Sequence, residues 1–186
     1  MSATGDVHTM STPTLTSAGV GARATPPRLA PQIEHVARQL ARLGYTLHSG
    51  GADGFDTFAE KGAAKKRIFL PWEGFNGSSS QLFSSGPKAF EIAKHFHPAW
   101  DRLGTHARVF MARNSYQVLG PDLATPVDFV WCWTPNGAVT GGTGQALRIA
   151  AAYEIPVFNL ATDPELDKLE AWLVAAGFDL SELPTT

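Results

Sequence analysis

Residues 127–133 read Val-Asp-Phe-Val-Trp-Cys-Trp, an almost unbroken run of β-branched, aromatic and other apolar side chains. Such a run predicts a β-strand, and it is too apolar to leave one face in water. A strand that is covered on both faces is typical of a parallel sheet with helices on each side. We therefore expect a parallel sheet with these residues at its centre.

Helices and shorter strands alternate on both sides of this run. Apolar spacing and helix-terminal residues predict helices over 32–43, 53–64, 87–96, 105–119, 145–153 and 164–176. Further strands are predicted over 45–48, 67–70 and 156–160. Alternation of this kind implies right-handed βαβ units. The predicted fold class is α/β, with three layers in which a mostly parallel sheet carries helices on both faces.

Length and composition exclude several classes of protein. The 186 residues are enough for one domain, which we place at 15–186, and the Ser-, Thr- and Gly-rich residues 1–14 are expected to form a flexible tail. Fifteen Lys and Arg against 17 Asp and Glu leave a net charge of -2, without the basic excess that nucleic-acid binding favours. Nucleic acid is therefore not expected as a partner.

The single cysteine, Cys132, excludes an internal disulfide and indicates a reducing compartment. No apolar stretch reaches the length of about 20 residues that spans a bilayer, and residues 1–14 have neither the basic nor the apolar region of a secretory signal. We therefore expect a cytoplasmic protein with no membrane partner. The compact domain is compatible with a viral or a cellular origin.

Three glycine-rich turns, at 18–23, 49–54 and 140–145, are predicted to follow strands of the sheet. Glycine lets a backbone turn sharply and lets an anion approach the main-chain N–H groups, and a helix that begins just afterwards adds unpaired donors and a positive dipole end. The carboxyl edge of a parallel sheet is also where ligands bind. We favour phosphate binding at these turns, and the alternative is that the glycines only shape tight connections.

The octet Ser49-Gly50-Gly51-Ala52-Asp53-Gly54-Phe55-Asp56 resembles the SGGAxGxD signature of the SLOG superfamily. This Rossmann-like group contains the DNA-processing protein DprA and the LOG cytokinin-activating phosphoribohydrolases. Residues 112–115, Ala-Arg-Asn-Ser, are similar to an Arg-Asn element of its small members, and residues 141–145 are similar to its second glycine turn. These elements stand in family order and cover about residues 16–160.

The resemblance implies a Rossmann-like fold that binds a nucleotide or a nucleotide-derived, phosphorylated ligand, as a sensor or a sequestering protein. Formation of a homo-oligomer is a further implication. No cofactor is expected. The expected ligand-binding residues are Gly19, Gly21, Arg23, Ser49, Gly50, Gly51, Ala52, Asp53, Arg113, Asn114, Gly141, Gly142, Thr143, Gly144 and Gln145.

Two other functions remain open. The first is cleavage or transfer at the N-glycosidic bond of a nucleoside 5′-monophosphate, with Glu60 and Asp56 as the catalytic carboxylates, since they lie four residues apart on one helical face. The LOG pattern Gly-Gly-x-Gly-Thr-x-x-Glu is similar to this chain only in its glycines, because Gln145 and Arg148 replace its threonine and glutamate. The second is DprA-like binding of single-stranded DNA.

Histidine and tryptophan residues supply two minor candidates. His95, His97 and His106 lack further ligands at a convincing spacing, so no metal site is predicted. Trp72 follows a strand-ending proline and is the better candidate to stack on a base, whereas the tryptophans of the 127–133 strand are expected in the core.

Overall fold

A computed structural model describes residues 14–83, 85–162 and 164–180. Within them, strands and helices alternate as predicted. The strands are β1 (Thr16–Gly19), β2 (Thr46–Ser49), β3 (Lys66–Ile68), β4 (Phe129–Cys132) and β5 (Val157–Asn159). The α-helices are α1 (Ala30–Arg42), α2 (Phe55–Gly62), α3 (Pro87–Phe96), α4 (Thr105–Leu119), α5 (Gly141–Ala152) and α6 (Pro164–Ala175). The predicted tail lies, except for residue 14, outside the described residues.

The five strands form one sheet in the order β3-β2-β1-β4-β5, and every neighbouring pair is parallel. This confirms the predicted α/β, Rossmann-like fold with a parallel sheet. The middle strand is β1 rather than β4, the strand that we expected at the centre. Even so, β4 is hydrogen-bonded on both sides, and all four of its residues are buried.

Helices cover both faces of the sheet and form the outer layers. Phe129 and Trp131 of β4 pack in one core with α1, α2 and α6, and Val130 and Cys132 pack in a second core with α3, α4 and α5. Successive residues of a strand point to opposite faces, so a strand between two helical layers needs apolar residues at every position. Burial raises the pKa of the Cys132 thiol to about 12, as expected of an unreactive core cysteine.

Element boundaries differ from the prediction mainly at the glycine turns. Helix α5 begins at Gly141, four residues before the predicted start, because the glycine turn itself forms the first helical turn. Gly141 has a φ of +62°, a conformation that residues with a Cβ rarely adopt. Phe75, in the Gly- and Ser-rich segment 74–80, which the sequence indicates as a mobile loop, is instead buried against Ala52 and Leu70.

The sheet has a switch point between β1 and β4. The chain leaves β1 towards α1 on one face and leaves β4 towards α5 on the other face. The connections at the carboxyl ends of these two adjacent strands therefore diverge and leave a crevice, which is where open α/β sheets bind ligands. None of the described helices is long and apolar enough to cross a membrane.

Candidate functional site

A cavity of about 620 Å³ lies in the crevice between β1 and β4. It is lined by the segment that follows β1 (20–24), by the start of α5 together with the residue before it (140–143), and by one face of α4. Ala52 and Asp56 contribute the part of the wall that follows β2. Pockets for cofactor-sized ligands usually have volumes of about 300–1,000 Å³, so this cavity could hold a nucleotide.

The third glycine turn presents unused main-chain donors to this cavity. The amides of Gly141, Gly142 and Thr143 donate no hydrogen bond to any described residue, because they belong to the first turn of α5. Asn114 Nδ2 of α4 donates to the carbonyl oxygen of Gly142 at 2.7 Å and so fastens the turn to α4. Unpaired amides at the positive end of a helix dipole are suited to an anion.

The second glycine turn is held by a carboxylate of its own helix. Asp56 of α2 is buried and accepts hydrogen bonds from the main-chain amides of Gly50 at 3.1 Å and Ala52 at 3.4 Å. It also accepts a bond from the amide of Gly21 in the first turn at 3.2 Å. A phosphate bound at a glycine turn would accept hydrogen bonds from several main-chain N–H groups in the same way. Asp56 thus takes the place of an external anion at these two turns.

Glu60 completes the internal bonding of the second turn. Its Oε1 accepts hydrogen bonds from the Ser49 hydroxyl at 2.5 Å and from the amide of Gly51 at 3.1 Å. Burial raises the pKa of Glu60, although these bonds and two nearby cations act against that shift. Glu60 is not among the residues that line the cavity. The donors of Ser49, Gly50, Gly51 and Ala52 are therefore already engaged by the protein itself.

Arg113 of α4 reaches across the sheet edge to the second turn. Its Nη1 is 3.9 Å from Asp56 Oδ2, and a Cβ at position 50 would lie 1.1 Å from that nitrogen, so only glycine fits beneath the guanidinium. Arg113 is 6% exposed, and its Nε and Nη1 donate no hydrogen bond to any described residue. Buried donors of this kind are rare in folded proteins, which points to a missing partner.

Burial shifts the pKa values of this ion pair in opposite directions. It raises the pKa of Asp56 to about 6, although Arg113 and the main-chain amides act to lower that pKa. It lowers the pKa of Arg113 to about 10, although Asp56 acts to raise it. At neutral pH the guanidinium is therefore charged and the carboxylate is mainly ionised.

Arg23 lies at the exposed rim of the cavity. Its Cζ is 5.2 Å from the centre of the Phe110 ring, and the Cζ of Arg113 is 5.8 Å from the same ring centre. Two guanidinium groups therefore contact one aromatic ring beside the start of α5. Of the two, Arg23 is exposed and gives the rim a positive charge, whereas Arg113 is buried beside Asp56.

Several expected ligand-binding residues lie elsewhere. A Cβ added at Gly19 would meet Leu47 and Trp131 in the core. This glycine therefore allows close packing in the core and does not line the cavity. Asp53 is exposed and contacts Asn76.

Two residues of α5 from the same expected set also do not line the cavity. Gly144 packs against Val139 and donates its amide to the Thr140 carbonyl. Gln145 is fully buried, donates to the carbonyl of Ala93 and accepts a bond from Arg148. It therefore joins α5 to α3.

The minor candidates do not line the cavity. Trp72 borders a second cavity of about 340 Å³ with Phe83 and Phe90. No group of three or more His, Cys, Asp or Glu side chains within residues 14–83, 85–162 and 164–180 is arranged to hold a metal ion.

Two residues that line the cavity, Phe110 and Gln117, were not predicted from the sequence. Both are on α4, one turn before and one turn after the Arg113-Asn114 element. Residues that are three, four or seven positions apart share a face of a helix. Extending the Arg-Asn element along its predicted helix would therefore have identified both residues.

The chain matches no family model and no curated protein. Among solved structures it is similar to DNA processing protein A from Helicobacter pylori, a protein with a single-stranded DNA binding mode, at 19% identity. The match covers 91% of this chain and 77% of that one, with a TM-score of 0.51. The Moco carrier protein of Chlamydomonas rheinhardtii matches at 17% identity over 88% of this chain and 86% of that one, also with a TM-score of 0.51. At these identities the similarity shows a shared fold.

Proposed function

We propose that this chain binds a phosphorylated, nucleotide-type small molecule in the cavity between β1 and β4, as a sensor or a sequestering protein. The observation that carries the proposal is the set of unpaired amides at Gly141, Gly142 and Thr143, three residues that line the same cavity as Arg113. The ligand phosphate would accept hydrogen bonds from these amides and pair with Arg23 at the rim. Phosphates bind at helix N-termini for this reason.

The aromatic wall supports a ligand that carries a base as well as a phosphate. Phe110 is half-buried at the cavity, and its ring already contacts the guanidinium groups of Arg23 and Arg113. A planar base can stack on such a ring. The volume of about 620 Å³ is sufficient for a nucleotide but large for inorganic phosphate alone.

The geometry favours binding over N-glycosidic cleavage. Both oxygens of Asp56 accept main-chain hydrogen bonds, and Glu60 lies outside the cavity lining. Neither carboxylate is placed to activate water beside a ligand, since a general base must lie within hydrogen-bond reach of the proton it removes. We therefore expect the purified protein to bind nucleotides without releasing free base from them.

A thermal-shift panel followed by calorimetry tests the proposal. The panel contains nucleoside mono- and diphosphates, ADP-ribose and cyclic nucleotides, each paired with its unphosphorylated nucleoside. We expect phosphorylated members to raise the melting temperature through preferential binding to the folded state, and nucleosides to do so much less. Stabilisation by no member of the panel would overturn the proposal.

Arg23→Gln and Arg28→Gln provide a matched pair of variants for this panel. Both arginines are exposed in the segment between β1 and α1, but only Arg23 lines the cavity. We expect Arg23→Gln to weaken nucleotide binding about tenfold, as for the loss of one charge-assisted hydrogen bond. Arg28→Gln should bind like the wild type, and equal effects of the two changes would contradict a local role for Arg23.

Binding of single-stranded DNA is the second candidate function. The structurally similar protein from Helicobacter pylori binds single-stranded DNA, in tension with the low expectation that follows from the net charge of this chain. Trp72, Phe75 and Phe110 contact one another, with ring centres 5.3–5.5 Å apart, close to Arg23. Aromatic side chains beside cations can stack successive bases. Fluorescence anisotropy with a labelled oligothymidine at low and moderate salt would detect this activity.

Membership of the SLOG superfamily and the arrangement of 15–186 as one domain belong to the same proposal. They rest on the octet at 49–56 and on the two glycine turns that meet at one sheet edge. A homo-oligomer remains a prediction, which light scattering coupled to size-exclusion chromatography would test.

A further inference from the structure

Gln117 of α4 carries an unused hydrogen-bond donor in the wall of the cavity. Its side chain lines the cavity and is 1% exposed, and its Nε2 makes no hydrogen bond with any described residue. A buried amide without a partner costs free energy, and an apolar side chain of similar shape would avoid that cost. The phosphate subsite at the rim does not need this residue, so a second group of the ligand is the natural partner.

The main chain at Gln117 is held by a residue from the sheet. In a continuing helix the carbonyl of Gln117 would accept a hydrogen bond from residue 121, but Pro121 has no N–H. His48 Nδ1 of β2 lies 3.2 Å from that carbonyl oxygen. Burial lowers the pKa of His48 to about 4, so the ring is neutral at pH 7. Its Nδ1 carries the proton, because the carbonyl oxygen of Gln117 can only accept. The position of Gln117 is thus set by an uncharged contact.

Arg113 lies one helical turn before Gln117 and borders the same cavity. Its Nε and Nη1 also make no hydrogen bond with the described residues, so the wall at this end of the cavity contains two side chains with unpaired donors. Asp56 faces Arg113 but already accepts three main-chain bonds, and its negative charge would repel a phosphate. The deep end of the cavity therefore suits an uncharged group that accepts hydrogen bonds.

We infer that Gln117 and Arg113 form a subsite that reads a carbonyl oxygen on the base of a bound nucleotide and so selects oxo bases over amino bases. This inference rests on the proposed function and specifies its ligand. The phosphate occupies the start of α5, the base points inwards past Phe110, and its carbonyl accepts hydrogen bonds from the two side chains. An exocyclic amino group at the same place would face Nε2 of Gln117 and the guanidinium of Arg113, which can only donate, and it would find an acceptor only if the Gln117 amide rotated to present Oε1.

Inosine and adenosine 5′-monophosphate provide the test, because they carry a carbonyl and an amino group, respectively, at position 6 of the purine. Isothermal titration calorimetry at neutral pH measures both affinities with the wild-type chain. We expect inosine monophosphate to bind about tenfold more tightly, since a site with buried donors discriminates against a ligand that cannot accept from them. Guanosine and uridine monophosphates should bind with affinities similar to that of inosine monophosphate.

Gln117→Leu separates this role from a structural one. We expect the variant to bind both monophosphates within about twofold of one another, and to unfold in urea at no lower concentration than the wild type because a buried unpaired amide is removed. A purely structural glutamine would instead leave the preference unchanged and lower the stability. Gln81→Leu, at an exposed glutamine, is the matched control and should keep the wild-type preference.

The outcomes separate this inference from the proposed function. Equal binding of the two monophosphates by the wild type, or a preference that survives in Gln117→Leu, overturns the inference and leaves nucleotide binding intact. Binding of no nucleotide by the wild type overturns both. If Gln117→Leu fails to fold, the wild-type comparison and Gln117→Met still decide the matter.

Discussion

The turns at 49–52 and 140–143 have similar compositions but opposite hydrogen-bonding states. In the second glycine turn (49–52), every donor that we expected to hold a phosphate is bonded to Asp56 or Glu60 of the following helix. In the third glycine turn (140–143), the amides of Gly141, Gly142 and Thr143 have no partner among the described residues, and the turn lines an open cavity. A glycine turn before a helix therefore creates the capacity to bind an anion but does not determine whether that anion is a ligand.

The difference follows from the residues that come after each turn. Helix α2 places Asp56 in its first turn and Glu60 one turn later, so two carboxylates can fold back onto the loop. Helix α5 has no acidic residue in its first turn. Carboxylates near a helix N-terminus interact favourably with its amides and its dipole, and there they compete with any external anion.

Asp56→Ala is expected to have the largest effect and tests whether the second turn is held internally. The change leaves Arg113 buried without a counter-charge and three amides without an acceptor, so the free energy of unfolding should fall by about 3–5 kcal/mol. Thr143→Ala in the third turn should change it by less than about 0.5 kcal/mol. Urea denaturation measures both, and similar losses would remove the contrast between the turns.

The pH dependence of the two turns should also differ. The pKa of Asp56 is raised to about 6 by burial, whereas an unfolded aspartate titrates near pH 4. The folded state binds this proton more tightly, so the Asp56 contribution to the free energy of unfolding falls as pH rises from about 4 to about 6, at up to about 1.4 kcal/mol per pH unit.

Carbon-detected NMR of the Asp56 carboxyl group isolates this titration from those of other groups. His48, with its pKa lowered to about 4, contributes with the opposite sign over a similar range, so overall stability alone would not resolve Asp56. The amide signals of Gly21 and Gly50 should move with the Asp56 midpoint, and those of Gly141 and Gly142 should not. A midpoint near pH 4 would contradict the burial of an ionised carboxylate here.

Gly50→Ala and Gly142→Ala apply the same small change to each turn. A Cβ at position 50 would overlap Nη1 of Arg113, so the first change should lower the free energy of unfolding by about 1–3 kcal/mol. At position 142 the nearest atom to a new Cβ is Cε of Met111 at 3.9 Å. There, alanine should be neutral or stabilise the helix by up to about 1 kcal/mol. Thermal unfolding of both variants tests whether Gly50→Ala lowers the stability while Gly142→Ala leaves it unchanged or raises it.

Glu60→Gln should have the smallest effect of the series. Glutamine keeps an oxygen that can accept bonds from Ser49 and Gly51, so we expect a loss of no more than about 1 kcal/mol in the free energy of unfolding. Nucleotide affinity should stay within about twofold, because Glu60 does not line the cavity. Release of free base by the wild type, abolished in Glu60→Gln, would instead identify an enzyme.

Local sequence patterns predicted most of the fold. The strand at 127–133 and the helices around it follow from apolar periodicity, which depends on residues within one or two turns. The order of the strands required the backbone, and β1, which has only four residues and little apolar character, took the middle position. The start of α5 was misplaced because glycines usually disfavour a helix, although they are tolerated at an N-terminus where amides have no partners anyway.

The candidate site was predicted less completely. Arg113, Asn114 and the turn at 140–143 were found, and they do meet at one cavity. Gln117 and Phe110 were missed because neither belongs to a glycine turn or to the Arg-Asn element. The tertiary structure brought them to the cavity through the face of α4 that they share with Arg113.

By itself, the sequence determined that parallel strands would end at glycine-rich turns, because residue types and their spacing act along the chain. Only the tertiary structure decided which donors stay unpaired. The amide of Gly21 donates to the carboxylate of Asp56, which is 35 positions away. Gly50 lies beneath the guanidinium of Arg113, whose helix α4 packs on the face of the sheet opposite to that of α2. Hydrogen bonds and ion pairs act over a few ångströms of space rather than along the sequence, so partners from distant elements determine where an anion can bind.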